Sequence, residues 1–393
     1  MSVDHAALAI SSVRWHRHPV PQPTGARRWQ GGISPHAYRG QRDQQQEKGH
    51  HQVIAAVLEG PGNVKAVNVA DATLKEPGDA VVRVVAAAIC GTDIRGYRGQ
   101  PGPVRGPRCG HEFLGVVEEV GTASATVRPG QLVLAPFIFA DGTCSTCSRG
   151  LPSSCPSGGM FGVAGDGGQA EAVRVPFAEA TLVAVAMDEH DERLPAVLAL
   201  ADVMPTGYHA VRGAHLTRES CVAVIGDGAV GLCSVLAARE AGAGRVIILG
   251  HHPNRLDIAR RFGCTDVIES RGDEAAAAVA DLTAGAGADL VVESVGDQRA
   301  LDTALRVCAD GGRLSLVGGP HNALETMTCF MRNITVAGGL TPARTYIPGL
   351  LDAVLGGRLD PSPVFDATAT LADIAVGYEA MDNRQATKVL VRP

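Results

Sequence analysis

The sequence predicts an α/β protein with two parts, an all-β, barrel-like part followed by a parallel sheet that carries helices on both faces. Two observations support this prediction. In the first part, short runs rich in β-branched residues are separated by Gly and Pro, which is the pattern of short strands and turns, at 53–58, 80–89, 113–120 and 131–139. In the second part, apolar runs alternate with helical stretches, as expected for a parallel sheet, and these runs lie at 221–225, 245–249, 288–293 and 313–317.

After about residue 342 the rhythm changes again. A helical stretch at 347–355 is followed by a Pro-rich link, a second helical stretch at 372–381 and a final strand at 388–392. The chain has 393 residues, which favours two domains and provides enough core without disulfides.

Composition and charge exclude several classes of function. The net charge of −6 argues against a nucleic-acid-binding surface, and no apolar run approaches the roughly 20 residues of a membrane helix. Ten cysteines in a long chain without an apolar secretory signal favour metal binding over a disulfide framework. A cytoplasmic location is therefore expected.

Residues 1–52 lack apolar periodicity and are rich in Pro, Gln, His and Arg, which predicts a disordered N-terminal extension. Its His-rich tract is interpreted as solvated, with metal binding as the alternative. We also hypothesise that the native protein starts near Val53, because the ordered pattern begins there and an alternative GTG start codon would be read as valine. An intact mass that matches a start at residue 1 would contradict this hypothesis.

The loop after the run at 221–225 has the G-x-G-x-x-G spacing of dinucleotide-binding loops. It follows an apolar strand and opens an apolar helix, and this context makes the signal specific. The first glycine permits a tight turn, the second lets the backbone approach a pyrophosphate, and the third allows close packing of helix and strand. The loop consists of Gly226, Asp227, Gly228, Ala229, Val230 and Gly231.

The residues after the second strand of this part favour NADP over NAD as the cofactor. An acidic side chain about 20 residues past the loop normally binds the ribose hydroxyls of NAD, but Gly250 stands there. Gly250 removes the group that would repel a 2′-phosphate, and His251, His252 and Arg255 are expected to bind one. The alternative is loose use of NAD with Gly250 merely tolerated. The substitution Gly250→Asp is expected to shift the preference towards NAD.

Five motifs together resemble the zinc-dependent alcohol dehydrogenases of the medium-chain dehydrogenase/reductase family. They are CGTD at 90–93, GHE at 110–112, DGGQAEAV at 166–173, PTG at 205–207 and GDGAVG at 226–231. The resemblance covers residues 53–393. It implies a GroES-like β-barrel catalytic domain at 53–204, to which 342–393 returns, and a Rossmann domain with a doubly wound parallel sheet for the cofactor at 205–341.

By this resemblance, Cys90, His111 and Asp202 are the protein ligands of a catalytic zinc. Three ligands and an open position are the pattern of catalytic zinc sites. Glu112, next to the ligand His111, is expected to be able to exchange onto the metal, and Asp93 is expected to orient His111.

Thr92 stands where the family places a hydroxyl that contacts the substrate alkoxide. Arg95 stands where many members have a histidine that finishes the proton relay, and arginine stays protonated. We therefore expect the proton to leave through a ribose hydroxyl and water, or through another group. Arg95 is expected near the cofactor phosphates or the substrate. Gly91 replaces a basic phosphate contact of some relatives.

Three further positions follow from the resemblance. Thr206 is expected against the nicotinamide, and Lys388 in the last strand is expected to reach the cofactor pyrophosphate. Phe137 is expected to line the substrate pocket, with ordinary core packing as the alternative.

A second metal site is expected in the loop that follows the strand at 131–139. By the resemblance, one aspartate and three cysteines form a structural zinc site, which would bring the zinc content to two per chain. The alternatives are a weakened or empty lobe and a redox-active C-x-x-C pair, although the latter lacks its usual βαβ context. The four ligands are Asp141, Cys144, Cys147 and Cys155.

The expected activity is hydride transfer between an alcohol, polyol or sugar and NADP or NAD. A zinc-free enone or quinone reductase on the same fold and a nucleotide-binding protein without turnover are the alternatives. The complete ligand set argues against both. The partner is expected to be a small alcohol or carbonyl compound, and relatives are commonly homodimers or homotetramers.

Overall fold

The computed structural model describes residues 52–100, 108–319 and 323–393. The expected N-terminal extension therefore lies outside the described residues, except for Gln52, at which the first strand begins. The described residues belong to one unit of mutually contacting residues. None of their helices combines the length and the apolar character that a membrane-spanning segment needs.

The first half of the chain is built of short strands that are joined by short helices. The strands are β1 (Gln52–Gly60), β2 (Asn63–Ala70), β3 (Ala80–Ile89), β4 (Glu112–Val120), β5 (Leu132–Ala135), β6 (Ile138–Phe139), β7 (Gly159–Met160), β8 (Ala172–Val175) and β9 (Val183–Ala184). The helices are α1 (Gly91–Tyr97), α2 (Ser145–Ser148), α3 (Ala178–Thr181), α4 (Leu194–Leu198) and α5 (Val203–Val211), with 3₁₀ turns at Pro152–Ser154 and Ala199–Ala201.

The second half alternates strands and helices before a mixed C-terminal segment. It contains β10 (Cys221–Ile225), α6 (Ala229–Glu240), β11 (Arg245–Leu249), α7 (Pro253–Arg261), β12 (Asp266–Ile268), α8 (Gly272–Leu282), β13 (Ala288–Glu293), α9 (Gln298–Val307), β14 (Cys308–Leu316), α10 (Thr326–Met331) and β15 (Thr335–Gly338). The C-terminal segment contains α11 (Ala343–Leu355), a 3₁₀ turn at Ser362–Val364, β16 (Ala367–Thr370), α12 (Ile374–Asp382) and β17 (Val389–Arg392).

One sheet joins strands from both ends of the chain. Its order is β16-β17-β3-β4-β5-β9, and β8 pairs with β3 beside this path. The last strand, β17, runs antiparallel to β3 and places Val389 opposite Ile89. Because Cys90 follows β3 directly, this pairing brings the C-terminal strand to the residues of the CGTD motif.

The expected strand at 131–139 is interrupted. The structure divides it into β5 and β6, and Pro136 lies between them. Proline has no N–H to donate to a strand ladder, so the pairing of β5 with β4 ends at Ala135. Phe137 instead donates its N–H to the carbonyl of Ala201, which ties this break to the segment before α5.

Two small sheets pair β1 with β2 and β6 with β7, and a six-stranded sheet is parallel throughout with the order β12-β11-β10-β13-β14-β15. The strand order reverses direction beside β10, and ligands of such sheets bind outside the carboxyl ends of the strands at this reversal. The glycine loop follows β10 at this point. The sequence prediction of a barrel-like part and a doubly wound parallel sheet is therefore confirmed.

A continuous apolar core joins the two sheets. It includes Leu114 and Leu134 of the first sheet, Met204 of α5, and Val224 and Leu232 of the second part, all of which are buried. Burial of one such side chain contributes about 1.5–3 kcal/mol. Helix α5 is therefore fixed against both sheets, which also fixes Asp202 at its N-terminus.

Candidate catalytic metal centre

Three side chains of the centre lie at the ends of helices and strands. Cys90 lies between the end of β3 and the start of α1, His111 directly precedes β4, and Asp202 is the N-cap residue of α5. The carboxylate of Asp93 in the first turn of α1 accepts a hydrogen bond from the backbone N–H of Cys90 at 3.0 Å, which fixes the turn that carries the thiol.

The structure brings the four expected side chains of the centre together. Sγ of Cys90 lies 3.6 Å from Oδ2 of Asp202, and Nε2 of His111 lies 3.4 Å from the same oxygen. One ligand atom from each of these residues and from Glu112 can be chosen so that all four lie within 4.8 Å of one another. Cys90, His111 and Glu112 are buried, and the Asp202 side chain is 13% exposed.

A chain of polar contacts behind the centre faces the histidine. Nδ1 of His111 faces Oδ1 of Asp93 at 3.6 Å, and Oδ2 of Asp93 accepts from Nε2 of Gln169 at 3.3 Å. Gln169 in turn accepts from the hydroxyl of Tyr378 at 2.8 Å. The sequence interpretation missed both outer residues, although Gln169 lies inside the DGGQAEAV motif. Tyr378 lies on α12, and no local pattern marks it.

Lys388 lies in the metal centre rather than at the glycine loop, where the sequence interpretation expected it. Its Nζ lies 2.6 Å from Oε1 of Glu112, and the two side chains are 1% and 0% exposed. Burial opposes the charged form of Lys388, but the Glu112 carboxylate reverses this and raises the pKa of the lysine overall. A group so enclosed and paired has no surface left for a cofactor phosphate.

The donor set fits a zinc ion. Thiolate sulfur, imidazole nitrogen and carboxylate oxygen are the ligand atoms that zinc takes in proteins. Burial raises the pKa of the Cys90 thiol, and the neighbouring Asp202 and Glu112 raise it further, whereas a bound cation would act in the opposite direction. Among the described residues, no donor reaches the buried Oε2 of Glu112. The side chains of the centre therefore offer more hydrogen-bond acceptor atoms than the residues around them supply donors.

Of four further expected residues, Thr206 and Phe137 contact side chains of the centre. Thr92 lies in the first turn of α1, and the hydroxyl of Thr206 donates to Oδ1 of Asp202 at 3.0 Å. Phe137 is 4% exposed and places its ring edge-on to His111 with 6.4 Å between the ring centres, so it packs directly against a ligand. Arg95 donates from Nη1 to the carbonyl of Gly319 at 3.1 Å and so reaches from α1 to the loop after β14.

The second group of expected ligands also converges. Asp141, Cys144, Cys147 and Cys155 offer ligand atoms within 4.8 Å of one another, and the sulfurs of Cys144 and Cys155 are 3.8 Å apart. All ten cysteines are free thiols. The amides of Cys144 and Thr143 donate to Asp141 and lower the pKa of its carboxyl group.

The glycine loop has the geometry of a phosphate-binding turn. Gly226 has φ of +106°, a conformation that side chains disfavour. A Cβ at Gly231 would lie 2.0 Å from the carbonyl oxygen of Gly226, so only glycine lets α6 approach the strand this closely. Nothing lies within 4 Å of the corresponding position at Gly228, which is the side from which a pyrophosphate approaches. Ala229 and Val230 open α6 beyond it.

The structure explains the glycine at position 250 differently from the sequence interpretation. A Cβ at Gly250 would lie 2.6 Å from Cβ of Asp227. The acidic residue of the glycine loop therefore occupies the space beside the end of β11, and glycine is required there to make room for it. The substitution Gly250→Asp would displace Asp227, so it does not test cofactor preference cleanly.

Comparison with known proteins places this architecture. The family described as "alcohol dehydrogenase GroES-like domain" matches residues 76–185, and the family described as "zinc-binding dehydrogenase" matches residues 229–355. A protein of Mycobacterium tuberculosis named a probable zinc-binding alcohol dehydrogenase is 34% identical over 330 residues, which cover 82% of this chain and 84% of that protein. An alcohol dehydrogenase of Cupriavidus necator is 30% identical and covers 86% of this chain and 98% of its own.

Solved structures agree with these relatives. An alcohol dehydrogenase from a Thermus species superimposes with a TM-score of 0.78 at 32% identity, covering 86% of this chain and 99% of that one. A zinc-binding dehydrogenase from Sinorhizobium meliloti, solved with NADP bound, has a TM-score of 0.74 at 26% identity and covers 87% and 100%. The fold and the donor set define a zinc-type dehydrogenase that uses a nicotinamide cofactor. This chain belongs to the zinc-binding alcohol dehydrogenase family, whose members are oxidoreductases that act on alcohols and carbonyl compounds.

Proposed function

We propose that Cys90, His111 and Asp202 hold the catalytic zinc of an NADP-dependent alcohol, polyol or sugar dehydrogenase, with Glu112 as a further carboxylate that can exchange onto the metal. The observation that carries this proposal is the convergence of these four side chains to within 4.8 Å in a buried site. The same centre lies where one apolar core joins the barrel-like part to the parallel sheet.

The chain's own residues have distinct tasks in this reaction. When bound, zinc supplies Lewis acidity at the alcohol oxygen and the nicotinamide supplies the hydride acceptor. Asp93 fixes the ring of His111 through Nδ1, so that Nε2 points at the centre. The hydroxyl of Thr92 is proposed to accept the alcohol proton as it donates its own proton onward to a ribose hydroxyl and water. Arg95, whose guanidinium donates to the carbonyl of Gly319, stays protonated and provides no base for this relay.

A turnover screen tests this function. The protein is assayed over alcohols, polyols and aldoses with both cofactors, before and after chelation. We expect turnover that chelation abolishes and zinc restores. Activity that survives complete removal of zinc would instead indicate a reductase without metal, and inactivity with every substrate would indicate a nucleotide-binding protein.

We propose that Asp141, Cys144, Cys147 and Cys155 hold a second, structural zinc, because a closed set of four ligands is typical of structural sites. Metal analysis is expected to give two zinc ions per chain for the unmodified protein and one for Cys144→Ser. The variant Cys264→Ser, a half-buried cysteine of the parallel-sheet part, is the matched control and should retain both. A content of one zinc in the unmodified protein would contradict the second site.

We propose a preference for NADP, supported by the basic and histidine side chains that follow β11. His251, His252 and Arg255 lie in this segment, and Arg271, the N-cap residue of α8, contacts the ring of His251. We expect kcat/KM for NADP to exceed that for NAD by about tenfold or more, since charge-assisted bonds to phosphate are the stronger kind. A preference for NAD in the same assay would contradict the proposal.

We propose a homodimer or homotetramer in which the edge of the parallel sheet contacts a second copy. Strand β15 ends the sheet, and the apolar side chains beside it on α10 are exposed, with Met327 at 62%, Phe330 at 77% and Met331 at 69%. Like edges pair across a two-fold axis. Phe330→Asp is expected to halve the mass measured by light scattering. Val376→Asp, an equally exposed position on α12, should leave it unchanged, and an unchanged mass for Phe330→Asp would contradict this interface.

The domain limits and the compartment are part of the same proposal. A catalytic domain at 53–204 completed by 342–393 is supported by the pairing of β17 with β3, and a cofactor domain at 205–341 contains all six strands of the parallel sheet. Free thiols at all ten cysteines support a reducing compartment such as the cytoplasm.

A further inference from the structure

Asp227, the variable residue between the first two glycines of the loop, is nearly buried beneath the turn that follows β11. Its exposed fraction is 5%, and its carboxylate fills the space that a side chain at Gly250 would take. An acid at the end of the second strand of such a sheet normally selects NAD by binding ribose hydroxyls. In this chain the acid, Asp227, comes from the preceding loop. Its effect on cofactor choice therefore depends on whether its carboxylate oxygens are free to accept hydrogen bonds from the ribose.

Groups of the protein already donate hydrogen bonds to the carboxylate of Asp227. Oδ2 of Asp227 accepts from the backbone N–H groups of His251 at 2.8 Å and of His252 at 2.9 Å. Nδ1 of His252 lies 2.9 Å from each of the two carboxylate oxygens, and Nη1 of Arg255 lies 3.7 Å from Oδ1. Burial opposes ionisation, but these hydrogen bonds lower the pKa of Asp227 overall, so the carboxylate stays charged. Little of it remains for a ribose hydroxyl.

Basic groups surround the other side of the same turn. Nη2 of Arg271 contacts Nε2 of His251 and lies 3.1 Å from Nδ1, and because guanidinium only donates, the histidine ring is the acceptor. Burial, His252 and Arg271 lower the pKa of His251, consistent with a neutral ring, and Arg384 acts on it in the same direction. Arg255 donates to the carbonyl of Ala386 and is also near the acid Asp366. Arg255 thus faces the carboxylates of Asp227 and Asp366, whereas Arg271 and Arg384 act on His251.

We infer that Asp227 is a positioning residue for cofactor selection: it holds the His251–His252 turn from below so that His251 and Arg271 receive a 2′-phosphate. This inference rests on the proposed use of NADP. A free carboxylate at this place would repel the phosphate. The carboxylate of Asp227 instead supports phosphate binding, because its charge is offset by Arg255 and its oxygens accept hydrogen bonds within the protein.

Binding of two nucleotide fragments to the full, zinc-loaded protein tests this role. Calorimetry measures the affinities for adenosine 2′,5′-bisphosphate and for adenosine 5′-monophosphate, which differ only in the 2′-phosphate. We expect the unmodified protein to prefer the bisphosphate. Asp227→Ala should lose about tenfold in affinity for the bisphosphate, with monophosphate affinity within about twofold, since only the charge-assisted contacts to the 2′-phosphate depend on this turn.

Two further variants make the result decisive. Asp257→Asn removes an acid from the exposed face of α7 and serves as the matched control, which should change neither affinity. Arg271→Ala leaves the buried carboxylate intact and should reduce the affinity for the bisphosphate as Asp227→Ala does.

The outcomes separate the inference from the proposal on which it rests. Tighter binding of the bisphosphate by Asp227→Ala would show a repelling acid and overturn the inference, while the use of NADP would stand. An equal loss for both fragments would also overturn it, because it would show a role in folding the loop alone. Preference of the unmodified protein for the monophosphate would overturn the proposed use of NADP itself.

Discussion

Cys90→Ser is expected to reduce turnover by about a thousandfold, which corresponds to about 4 kcal/mol of lost transition-state stabilisation. Serine has a hydroxyl that stays protonated at neutral pH, so it does not replace a thiolate ligand. Cofactor binding should change little, because the glycine loop lies on another element. The measurements are kcat with the best substrate, zinc content by metal analysis, and cofactor affinity by fluorescence titration.

The control for this variant is Cys264→Ser, which removes a thiol from the parallel-sheet part and should retain full activity. Loss of both cofactor binding and the folded state in Cys90→Ser would point to a structural role for the thiol. Retention of activity with one fewer zinc would contradict the assignment of Cys90 as a catalytic ligand.

Lys388→Met is expected to lower the free energy of unfolding by about 3–5 kcal/mol, because it leaves the buried carboxylate of Glu112 without its positive partner. The two charged atoms are 2.6 Å apart and both side chains are almost fully enclosed. Urea unfolding at neutral pH measures the effect. We also expect a changed zinc affinity, since Glu112 released from the lysine would be free to move onto the metal.

The double variant Glu112→Gln/Lys388→Met provides the test of mechanism. Removal of both charges should restore a large part of the stability lost in Lys388→Met, because the penalty comes from an uncompensated charge and not from lost packing. Additive losses in the double variant would contradict a direct interaction. A Lys388→Met protein with unchanged stability would contradict the burial of the pair as an energetic feature.

The sequence was most informative where chemistry is local. Cys90, Thr92 and Asp93 fall within four residues, and the glycine loop within six, so short motifs sufficed to predict their elements and their neighbours. The resemblance to a known family predicted the two ligand groups, and the structure brings each of them together. It also predicted that Arg95 is not a base, and the structure places this guanidinium on the carbonyl of Gly319.

Sequence reasoning failed for partners that are distant along the chain and that no family motif links. Lys388 and Glu112 are 276 residues apart and meet only because β17 pairs with β3 beside the start of β4. Tyr378 supports the ligand histidine through Gln169, 209 residues away. No spacing rule links such positions, because the pairing depends on sheet order and not on periodicity.

By itself the sequence determined the fold class and predicted the dinucleotide loop and the zinc ligands, because turn residues and strand alternation are properties of short segments and the ligand motifs resemble those of a known family. Only the tertiary structure decided which charges face one another. Gly250 illustrates the difference: the sequence showed an acid missing at the end of β11, and the folded chain places Asp227 there from the neighbouring loop. The physical reason is that the strength and sign of a charge's effect depend on the groups within a few ångströms, and the fold alone sets those distances.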